Sequence, residues 1–173
     1  MNDPQIQQLL TQPLRWLAAE LDRLRTCAVE LDALCMAPTC TDDKMAAAIH
    51  YLRTDMPRQL ADEEVDLLPL LKLRARRDDD LEGIIARLSA GHDVLAAQAR
   101  QALPRLEALK RVEHPIGADP ALAETLAVLA TQHRAHLAMV GAVIRPIARL
   151  RLTQRDLKVL GQELAARRNS LPT

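Results

Sequence analysis

Residues 120–147, PALAETLAVLATQHRAHLAMVGAVIRPI, decide the fold class. Asp119 precedes Pro120, a capping side chain followed by proline at the first helical position. Leu122, Leu126, Leu129, His133, His136, Val140, Val143, Ile144 and Ile147 then recur every three or four residues, the period of one face of an α-helix. Three earlier segments repeat the pattern. Leu14, Leu17, Leu21, Leu24, Ala28, Leu31 and Cys35 form the first stripe. Ile49, Leu52, Met56, Leu60, Glu63, Leu67 and Leu70 form the second, behind the capping run Thr41-Asp42-Asp43. Leu81, Ile84, Ile85, Leu88, His92, Leu95, Ala99, Leu103 and Leu106 form the third, after Asp78-Asp79-Asp80, acids suited to a helix N-terminus.

The joints Met36–Cys40, Ala75–Arg77 and Val112–Ala118 are short, and short joints between long helices make antiparallel neighbours. The expectation is an all-α chain: an up-down-up-down four-helix bundle over about residues 13–149, closed by a short fifth helix over about 153–168, in a single domain spanning 1–173. Pro57, Pro69, Pro104 and Pro146 fall inside or near the ends of these segments and are expected to kink or end them.

Composition agrees. The 173 residues include no Phe, one Trp and one Tyr, which removes the aromatic supply of a sandwich or barrel. Lys plus Arg and Asp plus Glu both number 23, so the charge balances and no basic footprint for nucleic acid is present. Cys27, Cys35 and Cys40 lack the number and spacing of a disulfide framework or zinc site and read as free thiols. The N-terminus lacks the basic flank and apolar run of a signal peptide, and no stretch reaches the roughly 20 apolar residues of a membrane span. A cytoplasmic protein without membrane or nucleic-acid partners is expected.

The informative residues are polar ones on apolar stripes. Glu63, His92 and His136 come from three segments, and inward faces of a bundle bring such residues to a common centre. A buried carboxylate is costly unless paired or metal-bound. Two imidazoles and one carboxylate are the donor set of mononuclear non-haem iron; a metal-free network in which Glu63 accepts from the histidines is the competing reading. His133, one turn before His136, is a replacement ligand or, more commonly for such a position, a partly exposed neighbour. Asp62 and Glu64 are expected to face solvent or arginines, and Arg145 the surface.

Four motifs resemble the hemerythrin-like HHE cation-binding family: PLRWLAAEL (13–21), MPRQLADEEVDLLPLL (56–71), RLSAGHDVL (87–95) and HLAMVGAVIRP (136–146). The tail LTQRDLKVLGQELAARR (152–168) resembles bacterial members. The resemblance implies four antiparallel helices and a non-haem diiron centre used to bind or sense oxygen or to handle iron. It also places ligands where this chain has Leu21, Gln59 and Val140, while Glu63, His92 and His136 remain at ligand positions. What it implies here is therefore a depleted diiron site, with no certain cofactor or one iron or other divalent metal. The expected role is a non-catalytic binding, sensing or interaction module. A mononuclear metal protein is the first alternative and an iron-dependent oxidase or peroxidase the second. A protein partner, or a homodimer through the apolar face of the last helix, completes the expectation.

Overall fold

The computed structural model describes residues 4–37 and 39–169. Six helices carry the chain: α1 (Pro4–Thr11), α2 (Pro13–Met36), α3 (42–74), α4 (Leu81–Arg111), α5 (120–151) and α6 (Gln154–Asn169). No strand occurs among the described residues. α2 to α5 are the four expected rods. α2 packs on α5, α5 on α4, and α4 on the first half of α3. Their apolar stripes meet in one leucine-rich core that includes Leu24, Leu52, Leu88, Leu126 and Leu129.

The prolines are accommodated rather than obeyed. α3 continues through Pro57 and Pro69, α4 through Pro104 and α5 through Pro146. Three π-helical turns, Tyr51–Asp55, Asp62–Leu67 and Val140–Ile144, each end two residues before a proline. A proline ring clashes with the carbonyl one turn earlier and offers that carbonyl no N–H. Widening the preceding turn by one residue relieves the clash and lets the helix continue. The same turns carry Glu63 and Val140, so the register shifts set which side chains face the bundle centre.

The ends behave as their sequences direct. Asp119 caps α5 by accepting from Leu122 N at 3.1 Å. Thr153 Oγ1 accepts from Asp156 N at 3.2 Å while the Asp156 carboxylate accepts from Thr153 N at 2.9 Å, a reciprocal cap for α6.

α1 was not among the expected segments. It covers α6, whose apolar face (Leu160, Leu164, Ala165) is buried within this chain against α1, α2 and the Asp62–Leu67 turn. Gly161 marks the crossing: a Cβ there would stand 2.6 Å from Leu9 O, too close for any side chain. Buried ion pairs pin α6 to α3. Asp62, 1% exposed, accepts from Arg167 Nε at 2.9 Å and Arg168 Nη2 at 2.5 Å, and Asp66 from Arg167 Nη2 at 2.5 Å. Arg168 also lies over the Trp16 ring, 4.0 Å from its centroid. Asp62→Ala removes the carboxylate from Arg168, which keeps only the Leu164 carbonyl and the Trp16 ring, while Arg167 keeps Asp66. The expected loss is about 3 kcal/mol, the low end for a broken buried pair. A thermal melt should fall by roughly 6–12 °C, with α6 becoming the first site of tryptic cleavage.

Candidate metal centre

Glu63 (α3), His92 (α4) and His136 (α5) meet where the three rods face one another, and all three are buried. One ligand-capable atom from each lies within 4.8 Å of the others. Glu63 Oε2 is the focus: His92 Nε2 stands 3.1 Å and His136 Nε2 2.8 Å from it. The two imidazoles cross edge to face, their centroids 4.8 Å apart. Burial pushes Glu63 upward, but the hydrogen bonds and charge of His136 and His92 outweigh it and hold the carboxyl at about 2. The group is a buried carboxylate.

His92 is gripped on both sides. Its Nδ1 lies 2.8 Å from Glu64 Oε2, and Glu64 also accepts from Ser89 Oγ at 2.8 Å. Burial lowers His92, yet the hydrogen bonds and charge of Glu63 and then Glu64 raise it. Glu64 therefore faces neither an arginine nor open solvent alone. It orients a histidine, which fixes the Nδ1 proton and aims Nε2 at Glu63.

A second chain of contacts enters Glu63 from the other oxygen. Gln59 Nε2 donates to Glu63 Oε1. With the amide nitrogen committed to a carboxylate, Gln59 Oε1 must accept, and it does so from His133 Nε2 at 3.0 Å. His133 is then the Nε2–H tautomer, so its Nδ1 accepts from Tyr51 Oη. Tyr51 to His133 to Gln59 to Glu63 is a one-way line of donors ending on the carboxylate. His133 is 0% exposed, a correction to the partly exposed neighbour expected from its position. Neither Tyr51 nor the bonding role of Gln59 was signalled by periodicity. The π-helical turns between Tyr51 and Glu63 bring them to one centre although twelve residues of regular α-helix would not.

His133 gives the site a pH signature. Burial, then the charge of His136, drive it down to about 3. An unfolded histidine titrates near 6.5. Between these values the unfolded chain binds a proton that the folded chain refuses, so stability falls as pH drops through that window. Metal-free protein should lose stability from pH 6.5 towards 4, and His133→Asn should flatten the slope by up to about 1.4 kcal/mol per pH unit. Denaturant midpoints measured at several pH values check it; equal slopes in both proteins contradict a buried neutral His133.

The remaining positions singled out by the sequence border Glu63. Leu21, Gln59 and Val140 line a cavity of about 20 Å³ beside it, room for one water-sized molecule. Arg145 borders the same cavity and is half-buried, its Nε sealed without a partner among the described residues, so it reaches inward more than the surface position expected.

The sequence profile of the hemerythrin HHE cation binding domain matches residues 9–148. The chain belongs to this family. Curated proteins and solved structures searched with the same chain gave no match. The hemerythrin HHE profile thus runs from the end of α1 through most of α5 and stops before α6, so the helix pinned by Arg167 and Arg168 lies outside the matched region. This hemerythrin-family chain is a helical module with a Glu/His/His group at its centre that could hold a metal ion. No helix among the described residues is long and apolar enough to cross a membrane.

Proposed function

We propose that this chain holds one divalent transition metal, on Glu63, His92 and His136, and acts as a binding or sensing module rather than an enzyme. The observation that carries the reading is the spacing of donors around Glu63 Oε2, with both Nε2 atoms at 3.1 and 2.8 Å in a buried setting. Donors bound to one ion at about 2.1 Å each stand roughly 3 Å apart. A cation there replaces the shared protons that now join three ligand atoms, and the Glu64 grip on His92 Nδ1 leaves Nε2 free to bind. Such an ion would supply Lewis acidity and, if iron, redox chemistry.

A diiron pair does not fit these residues. The cavity beside Glu63 is lined by Leu21 and Val140, which offer no donor, and by a Gln59 whose two polar atoms are already engaged. The chain is read as a depleted member in which half the ancestral pocket has become packing and a hydrogen-bond relay. A metal-free interaction module is the second reading. Its support is that the same carboxylate satisfies Gln59 and both histidines without any ion.

Metal analysis of untagged protein after anaerobic Fe(II) or Co(II) loading separates the two. One metal per chain in the wild type, lost in His92→Ala and in His136→Ala, supports the proposal. A ratio near zero with an unchanged melting temperature after loading supports the metal-free reading and removes the first.

A further inference from the structure

A cleft of about 370 Å³ opens between the C-terminal half of α2 and the first turns of α3, and neither Glu63, His92 nor His136 lines it. That volume lies in the range of small-molecule sites. Its walls are short and apolar, with Ala33 and Leu34 on one side and Ala47 and Ala48 on the other, so the space between them is a slot. Tyr51 closes the floor, buried apart from the surface it gives to the slot. Glu30 and Lys44 both border the slot, so their charges oppose one another. An ion of either sign meets one attracting and one repelling side chain, so nothing offsets the cost of desolvating its charge against the apolar walls, a cost an uncharged ligand does not carry. A flat apolar body matches alanine walls and an aromatic floor, where ring contacts add to area burial.

The floor residue is also the first donor of the line that ends on Glu63. Tyr51 Oη donates to His133 Nδ1, His133 Nε2 to Gln59 Oε1, and Gln59 Nε2 to Glu63 Oε1. Each link has its donor fixed by the next, so a change in the Tyr51 hydroxyl has one route inward. We propose that this cleft binds an uncharged, two-ring aromatic molecule and that Tyr51 reports its occupancy to the Glu63 centre through His133 and Gln59. The proposal takes its significance from the metal-site reading, but both of its parts are testable without metal.

The test uses metal-free, full-length protein labelled with ¹⁵N-histidine, titrated with 2-naphthol and, separately, with 2-naphthoate and 2-naphthylmethylammonium. Expected are saturable 2-naphthol binding at least threefold tighter than either charged analogue, and weakening of at least tenfold in Ala47→Trp, which fills the slot from an exposed position. Ala33→Trp fills it from the opposite wall and serves if the first variant loses helicity. At saturating 2-naphthol the His133 Nδ1 resonance should move in the wild type and stay fixed in Tyr51→Phe. Absent saturation, or binding indifferent to both tryptophans, overturns the site. Tighter binding of a charged analogue overturns the ligand class, and a silent His133 in the wild type overturns the communication. Because no metal is added, each of these failures leaves the metal proposal standing, and a chain that takes up no metal leaves this test intact.

Discussion

Glu63→Leu abolishes cation uptake and lowers the melting temperature of the metal-free protein by roughly 6–12 °C, the shift that about 3 kcal/mol produces in a domain of this size. The carboxylate is the shared acceptor of Gln59 Nε2, His92 Nε2 and His136 Nε2, all in a buried setting. Leucine fills the volume but leaves three donors with nothing to bond, and an orphaned buried donor costs its full desolvation. Glu63→Gln separates charge from shape. It keeps an acceptor oxygen, so the melt should fall by less, while cation affinity drops by more than the roughly 10–100-fold that follows loss of an outer-shell partner. Calorimetric melts and metal titration of both variants decide it. Wild-type metal content in Glu63→Leu would remove Glu63 from the site altogether.

Leu21→His, Gln59→His and Val140→Glu together should raise metal content from one to two per chain. All three positions line the small cavity beside Glu63, which neither His92 nor His136 lines. The triple change supplies two imidazoles and a carboxylate there, and Glu63 then stands between two donor sets. Leu21→His alone should leave the ratio at one, because a single imidazole beside Val140 is no binding site. The triple variant gives up the Gln59 link to His133, so some loss of stability without metal is expected, recovered on loading because the ion binds only the folded form. A folded triple variant that still binds one metal would show that Leu21 and Val140 do not stand at a second site.

The fold was legible in the sequence because a bundle is written in its period. Leucines every three or four residues, Asp119-Pro120 and Thr153 as caps, and short joints between long stripes leave few alternatives. The same stripes placed Glu63, His92 and His136 inward, and the family motifs marked Leu21, Gln59 and Val140 as departures. Periodicity gives a face, though, and not a depth or a partner. It could not show that His133 is sealed in the core, that Gln59 turns its amide nitrogen to Glu63, or that Tyr51 stands behind both. Those facts depend on how three rods are rotated against one another, and the π-helical turns ahead of Pro57, Pro69 and Pro146 reset that rotation without leaving a mark in the hydrophobic pattern. α1 escaped notice for a related reason. Its partner, α6, lies at the other end of the sequence, and an eight-residue helix is held by tertiary packing rather than by its own propensity. Residue types alone determined which rods form and which side chains point inward. Only their packing decided which atoms touch, because a hydrogen bond is set by fractions of an ångström that helical phase does not encode.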